Sequence, residues 1–435
     1  MLAPSKRQMH LGVFWIGAGN HSAGWRQDGA WASNSSWPVA AAGAQIAERG
    51  KFDLFFISDT VMMDPDDHPS FVTRFEPTTL IGALSAVTKH VGLGATVSTS
   101  FSEPFNVARA FATLQHISGG RVAWNVVTTA HDRAALNFSR QHLDAHDLRY
   151  EIANEFVDVV KGLWNTWDPG AYIADKASGV FIDKSKVRPL DHKGRFFAVR
   201  GPLNIERCPQ GDPLIIQAGG SVPGQELSAR TADIVFSVTS GDQVAAKAAY
   251  DGLKARVVKH GRAPDAVTIM PGVMPIVGDT NAQAKAQLDR LQGWLTPTNA
   301  LALVSGRIGH DISGYPLDAP VPDLPPSSTG NTSFSATLLE MARREKMTLR
   351  DLYNLTAAAR GHWVVAGTPA RIADVFEEWF TGGVADGFII MPAYFPGAFD
   401  DFVDKVVPEL QRRGLYRKEY SGPTLRDHLG LARDV

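Results

Sequence analysis

A glycine-rich stretch at 217–221, with the sequence QAGGS, follows an apolar run and precedes a stretch of helical spacing. Small residues at such a junction let backbone N–H groups approach an anion, and the positive end of the helix dipole adds attraction. Gly220 and Ser221 are therefore candidates for binding a phosphate group. A tight strand-to-helix turn needs the same residue types, so the pattern alone leaves both readings open.

Polar residues also follow two other apolar runs. Asp59 comes directly after FDLFFIS at 52–58, where a carboxylate is poorly explained by packing and an N-cap is the alternative. Asn125 opens NVVTT at 125–129, which places an amide and two hydroxyls where they suit the edge of a heteroaromatic ring. Ordinary capping of a strand end is the alternative there.

The sequence gives less support to a metal site or a hydrolytic site. His142 and His146 are four residues apart, which on a helix places two imidazoles on one face. An acidic cluster is formed by Asp64, Asp66, Asp67 and His68. Neither group has a known ligand pattern, so no metal site is predicted.

The side-chain types of a hydrolytic triad are present in Ser221, His21 and Asp59, but Ser221 lies in GGSVP and not in a Gly-x-Ser-x-Gly elbow. No Gly-x-Gly-x-x-Gly follows the first apolar run, so a built-in nicotinamide-binding domain is not expected.

Eight near-continuous apolar runs alternate with amphipathic stretches, as parallel strands covered on both faces do. The predicted strands are 10–16, 52–57, 91–99, 121–127, 214–218, 234–238, 267–277 and 387–391. The predicted helices are 39–49, 78–89, 104–117, 143–164, 223–231, 243–260, 369–381 and 399–413. Eight such units predict an α/β fold, a TIM (β/α)8 barrel whose site lies at the carboxyl ends of the strands.

The chain is expected to form a single domain over 1–435 with two insertions. The first covers about 167–209. The second covers 293–361, includes the Pro/Ser/Gly-rich stretch 320–330, and is expected to be a lid or a packing subdomain because it is too long for a simple connection.

Composition narrows the class of protein. The 435 residues carry a net charge of −2, so a basic surface for nucleic acid is not predicted. The single cysteine, Cys208, excludes an internal disulfide and fits a reducing compartment, and no leader or membrane span is recognised. A cytoplasmic location is expected.

Longer stretches carry a resemblance to a known family. They are FDLFFISD at 52–59, the run from EPTTL to NVVTT at 76–129, NFS at 137–139, HDLRYEIANEFVDVVKGLWNTW at 146–167 and DHKGRFF to QAGGS at 191–221. In this order they resemble the bacterial-luciferase-like flavin monooxygenases, in the branch of nitrilotriacetate monooxygenase, EDTA monooxygenase, dibenzothiophene sulfone monooxygenase and pristinamycin synthase. The C-terminal third matches less specifically, through GTP at 367–369 and DGFIIMP at 386–392.

The resemblance implies roles for individual residues. The implied flavin-binding residues are Asp59 and Thr96 near the ring, Asn125 hydrogen-bonded to it, His146 and Tyr150 toward the ribityl phosphate, and Gly220 with Ser221 at the phosphate. His21 matches a family histidine near the oxygen-reactive face of the flavin. Asn20 and His131 stand where this sequence departs from the family pattern, and both are expected to face the substrate. Gln115 replaces a commonly acidic residue.

The resemblance also implies a reaction. A separate NAD(P)H:flavin reductase supplies FMNH2, O2 forms a flavin C4a-hydroperoxide, and a small substrate is oxygenated next to nitrogen or sulfur, with C–N or C–S cleavage. A homo-oligomer, dimer or tetramer, is expected. The alternatives are an F420-dependent oxidoreductase, a flavin-binding protein without turnover, and a metal- or triad-dependent barrel hydrolase.

Overall fold

A closed barrel of parallel strands forms the centre of the computed structural model, which describes residues 7–65, 67–325 and 332–432. The barrel strands are β1 His10–Trp15, β2 Leu54–Ile57, β3 Gly92–Ser98, β4 Val122–Val127, β5 Leu214–Gln217, β6 Ile234–Ser237, β7 Thr268–Val277 and β8 Gly387–Ile390. Each pairs with the next, and β8 pairs with β1, where His10 lies opposite Gly387. The prediction of a TIM (β/α)8 barrel is confirmed.

Helices cover the outside of the barrel. They are α1 Trp37–Arg49, α2 Pro77–Val87, α3 Pro104–Ser118, α4 His146–Trp164, α5 Val222–Thr231, α6 Gln243–Lys259, α7 Asn281–Gly293, α8 Pro297–Ile308, α9 Thr332–Arg344, α10 Leu349–Ala359 and α11 Pro369–Thr381. The last barrel helix runs through Gly397–Asp401, a π-helical turn at Phe402–Val406, and Val407–Arg412, and the short helix Leu425–His428 follows.

Aromatic rings fill the interior of the barrel. The centroids of Phe14, Phe56 and Phe236 lie 5.3 to 5.8 Å apart, within the range in which aromatic pairs attract each other. On the outer face of the barrel, Trp124 of β4 packs between Phe111 of α3 and Phe156 of α4, at 5.8 Å from each. The barrel is a packed core, so a site has room only above the ring layer.

A buried ion pair ties the C-terminal segment to the barrel. Asp53, which is 0% exposed and precedes β2, accepts hydrogen bonds from the Arg417 guanidinium and from the Leu11 N–H at 2.8 Å. Arg417 also donates to the carbonyl of His428 at 2.8 Å. The positive charges of Arg417 and His10 hold the pKa of Asp53 below its usual range against the cost of its burial.

The two insertions differ in structure. The first forms two short hairpins, Tyr172–Asp175 with Val180–Ile182 and His192–Lys193 with Ala198–Val199. In the second, α8, α9 and α10 share a separate hydrophobic cluster that includes Val304, Leu338 and Leu352. The strand Trp363–Gly367 then pairs with β7 outside the barrel. Part of the stretch 320–330 and Asp66 of the acidic cluster lie outside the described residues.

Helix α7 and the strand at Trp363–Gly367 were not predicted from the sequence. Within α7 only Ala284 and Leu291 are buried, so the helix lacks the apolar periodicity that marks the others. None of the helices that the structure describes is long and apolar enough to cross a membrane.

Candidate active site

A cavity of about 320 Å³ opens at the carboxyl ends of the barrel strands. Its wall is built mainly by the segments after β2, β4 and β5, by the first turns of α4, and by two residues of the second insertion. This is the position at which TIM barrels place their active sites.

Seven of the ten predicted site residues line the cavity: Asp59, Thr96, His131, His146, Tyr150, Gly220 and Ser221. Asn125 lies directly behind Thr96. Asn20 and His21 are buried and do not line the cavity.

One end of the cavity is built for an anion. Helix α5 begins there, with the Ser221 hydroxyl accepting from the Gly224 N–H at 3.3 Å. Gly219 packs so closely that an added Cβ would meet the Gly224 Cα at 2.9 Å and the Tyr150 hydroxyl at 3.0 Å. Arg149, from the first turns of α4, brings positive charge to the cavity wall, which His146 also lines. Helix dipole, hydroxyls and a guanidinium together match a phosphate group.

An unpaired acceptor lies directly behind the cavity wall at Thr96. Thr96 donates its hydroxyl to the carbonyl of Ile57 at 2.8 Å and accepts the Asn125 amide at 2.9 Å. These bonds orient the Asn125 side chain, yet its buried Oδ1 has no partner among the described residues. An unpaired buried acceptor is costly, and a ligand N–H removes that cost.

Asp59 lies beside Arg74 on the wall after β2. Burial raises the pKa of Asp59 to about 6, and the positive charge of Arg74 only partly opposes the shift. The carboxyl therefore changes its charge within the range in which enzymes commonly work.

Backbone contacts explain why Asn20 and His21 lie behind the cavity. The N–H of Asn20 donates to Pro392 and that of His21 donates to Ala393, in the segment after β8. The His21 Nδ1 accepts the Ala23 N–H at 3.1 Å, so Nε2 carries the hydrogen, and it has no acceptor among the described residues. Burial lowers the pKa of His21 to about 3, which keeps the ring neutral.

The described residues around the cavity do not form the metal site or the hydrolytic triad that the sequence analysis considered. Within the described ranges, no group of three His, Cys, Asp or Glu side chains could hold a metal ion. Ser221 and Asp59 both line the cavity, but the third member of the notional triad, His21, does not.

Four arginines line the cavity and were not predicted as site residues: Arg74, Arg149, Arg307 and Arg360. Arg149 lies in the HDLRY motif and was readable from it. Arg307 and Arg360 come from α8 and from the residue after α10, and no local pattern relates them to each other or to the barrel strands.

Comparisons with known proteins agree with this barrel fold. Residues 14–386 match the model of the luciferase-like monooxygenase family. The chain is 45% identical to N-acetyl-S-(2-succino)cysteine monooxygenase of Bacillus subtilis (strain 168), over 100% of this chain and 99% of that protein. It is 41% identical to nitrilotriacetate monooxygenase component A of Aminobacter aminovorans, over 99% and 98%. The crystal structure of DmoA from Hyphomicrobium sulfonivorans superposes with a TM-score of 0.87 at 32% identity, covering 97% of this chain and 92% of that one.

The fold and the anion-binding end of the cavity define a TIM-barrel enzyme with a phosphate-bearing cofactor. The chain belongs to the luciferase-like monooxygenase family. It is a flavin-dependent monooxygenase that uses FMN, so the predicted family, enzyme class and cofactor are confirmed. The full-length relatives favour this class over an F420-dependent oxidoreductase and over a hydrolase.

The residues present fit FMN. The start of α5 with Ser221 and Tyr150 suits the phosphate, and the unpaired Asn125 Oδ1 suits an N–H on the edge of the ring. The individual assignments of these residues are part of the proposal below.

Replacing Asp59 with asparagine is expected to stabilise the protein at pH 7.5 by about 1–2 kcal/mol. A raised pKa of about 6 means that ionised Asp59 costs stability in the folded state, at about 1.4 kcal/mol per unit before solvent screening reduces it. This loss of folding stability is absent below the pKa of Asp59 in the unfolded chain, near 4, and is complete above about pH 6. Urea unfolding at pH 7.5 and pH 4 measures it.

The same variant is expected to lose activity, because a carboxylate kept at a cost in stability serves function. Asp311→Asn, at an exposed carboxyl of the second insertion, is the control. An equal effect of Asp59→Asn on stability at both pH values would contradict the raised pKa.

Proposed function

We propose that this chain is the oxygenase of a two-component system, which receives FMNH2 from a separate NAD(P)H:flavin reductase and oxygenates a small organic substrate next to nitrogen or sulfur. The cavity carries the proposal, since its wall holds the start of α5 with Ser221, and the unpaired Asn125 Oδ1 lies directly behind Thr96. The two relatives named above take, by their names, a sulfur-containing and a nitrogen-containing compound.

The residues of this cavity would hold FMN, with Gly220 and Ser221 at its phosphate. Tyr150 and His146 contact the ribityl-phosphate side, where their rings pack 5.1 Å apart. Asn125 accepts a hydrogen bond from the ring, held in place by Thr96. Asp59 lies beside the ring. When bound, reduced FMN supplies two electrons, so that one oxygen atom of O2 enters the substrate and the other leaves as water.

The protein's own part is to orient the reactants and to exclude water. Phe14, Phe56 and Phe236 close the barrel beneath the cavity, and α8 and α10 cover one side of it. His131 at the rim faces the substrate. His21 stays assigned near the oxygen-reactive face and Asn20 near the substrate, as residues that position the wall from behind. Exclusion of water protects reactive oxygen species from side reactions.

Replacing His21 with alanine is expected to leave the Kd for FMNH2 nearly unchanged and to lower the product formed per O2 by about 10-fold to 100-fold, because a wall that is no longer held from behind misplaces the reactants. His142→Ala is the control, because the His142 side chain is 79% exposed. Oxygen uptake, peroxide release and product are measured together. Unchanged coupling and rate would remove His21 from the site.

The second component is expected to be a separate protein, because no dinucleotide-binding motif follows the first strand of this chain. The single domain over 1–435 with a lid at 293–361, the homo-oligomer and the cytoplasmic location stay predictions.

The test combines the purified chain, an NAD(P)H:FMN reductase and O2 with a thioether and a secondary amine. We expect one oxygen atom from ¹⁸O2 in the product and little peroxide. Peroxide as the sole product, with every substrate of both classes, would favour a flavin-binding protein without turnover and would overturn the proposal.

A further inference from the structure

Positive charge is concentrated at the end of the cavity away from the phosphate loop. Of the four arginines that line the cavity, Arg149 belongs to α4, and the other three lie within electrostatic range of Asp67. Partial burial lowers the pKa of His131, and the charges of Arg307 and Arg74 lower it further, which shows that these groups lie within electrostatic range of one another. Two acidic side chains, Asp59 and Asp67, share this region with three arginines.

Arg360 is the arginine whose environment calls for a ligand. It follows the last turn of α10 in the left-handed conformation, with φ 55°. Its guanidinium lies over the rings of Phe14 at 4.5 Å and Phe71 at 4.9 Å. Its buried Nε has no acceptor, and its side chain donates no hydrogen bond to any described residue.

Such an environment is costly for a guanidinium. The buried Nε–H has left water without gaining an acceptor, and the two ring contacts supply charge attraction but no hydrogen bond. Burial, together with the neighbouring charge of Arg307, lowers the pKa of Arg360 to about 9, which still leaves the group charged at neutral pH. An anion in the cavity supplies both the missing acceptors and the missing charge.

The buried Nε of Arg149 also lacks an acceptor, but Arg149 donates through its Nη1 to the carbonyl of Asp144 at 2.9 Å, whereas Arg360 makes no such bond to a described residue. Arg74 donates to the carbonyl of Phe71 at 2.7 Å, and Asp59 and Asp67 favour its charged form. Arg307 likewise interacts with Asp67. Asp67 favours the charged form of Arg360 as well, so Asp59 and Asp67 together set two negative charges against three arginines, and one positive charge of the group remains.

We propose that the substrate is an organic carboxylate and that Arg360 is the residue that binds its carboxylate group. This inference rests on the proposed function, because it places the substrate at the end of the cavity opposite the flavin phosphate. A planar guanidinium accepts a carboxylate through two parallel hydrogen bonds, which fixes orientation as well as affinity. The rest of the substrate then extends toward Asp59 and Thr96.

The test uses a matched pair of thioethers, 3-(methylthio)propanoate and its amide, with the wild type, Arg360→Met and Arg360→Lys. Methionine keeps much of the side-chain volume without the charge. In the wild type we expect the carboxylate to have a KM at least about 30-fold below that of the amide. Arg360→Met is expected to remove this preference, and Arg360→Lys to restore part of it. Arg343→Met, on the exposed face of α9, is the control.

A second readout separates this proposal from the proposed function. Equilibrium binding of 3-(methylthio)propanoate to the complex with FMNH2, measured without O2, requires no turnover. Binding that depends on Arg360, without any oxygenation, would support the carboxylate site while the proposed function failed. Equal affinity for the acid and the amide would overturn the carboxylate site. A loss of FMNH2 affinity in Arg360→Met would also overturn it, because it would assign Arg360 to the cofactor phosphate.

Discussion

Replacing Gly219 with valine is expected to raise the Kd for FMNH2 at least about 100-fold, which corresponds to about 2.8 kcal/mol. A Cβ at this position would meet the backbone of Gly224 at 2.9 Å and the Tyr150 hydroxyl at 3.0 Å. Backbone at the start of α5 has little freedom to retreat, and valine adds two further methyl groups. The side chain therefore occupies the space in which the phosphate approaches the N–H groups of the helix.

The experiment compares anaerobic FMNH2 titrations of Gly219→Val, Gly219→Ala and Gly252→Ala. The control position lies in α6, where an added Cβ meets nothing within 4 Å. Alanine is expected to give an intermediate loss of affinity at Gly219 and none at Gly252. Unchanged far-UV circular dichroism shows that the barrel is folded. Wild-type affinity in Gly219→Val would move the phosphate site elsewhere in the cavity.

Replacing Arg417 with methionine is expected to lower the free energy of unfolding by about 3–5 kcal/mol, because it leaves the Asp53 carboxylate buried without its cation. Asp53 is fully buried and Arg417 is 3% exposed, so water cannot replace the lost partner. The same substitution releases the contact between Arg417 and His428, so the C-terminal segment is expected to loosen first. Urea unfolding at pH 7.5 measures the loss.

The pH dependence of this effect has a definite sign. The pKa of Asp53 is lowered in the folded state, so its stabilising contribution is present above the unfolded pKa near 4 and is lost as pH falls through the folded pKa. The difference between wild type and Arg417→Met should therefore shrink toward low pH. The double variant Asp53→Asn, Arg417→Met should recover part of the loss. A difference that is independent of pH would contradict the ion pair as its cause.

Much of the fold was readable from the sequence because parallel barrel strands are buried on both faces. The run FDLFFI has no polar alternation, and the structure places all of β2 in the core. The short loop around Gly220 was readable for a related reason: strand, small residues and helix follow each other within a few positions, so the anion-binding end is a local feature.

The other end of the cavity is not local. Arg307 and Arg360 are brought together by α8 and α10, whose packing on each other the sequence pattern does not specify. The burial of His21 behind the cavity is likewise not readable from the sequence, since its segment is tied to Ala393 and Ala357 by backbone hydrogen bonds. Helix α7 went unpredicted because its few buried residues give no apolar stripe.

Anaerobic titration of the purified chain with FMNH2, with oxidised FMN and F420 as comparisons, tests whether the barrel binds reduced FMN. Gly219→Val is titrated alongside. We expect FMNH2 to bind more tightly than both comparison ligands, and the variant to lose this binding while it stays folded. Preference for F420, or FMNH2 affinity that is the same in the variant as in the wild type, would contradict it.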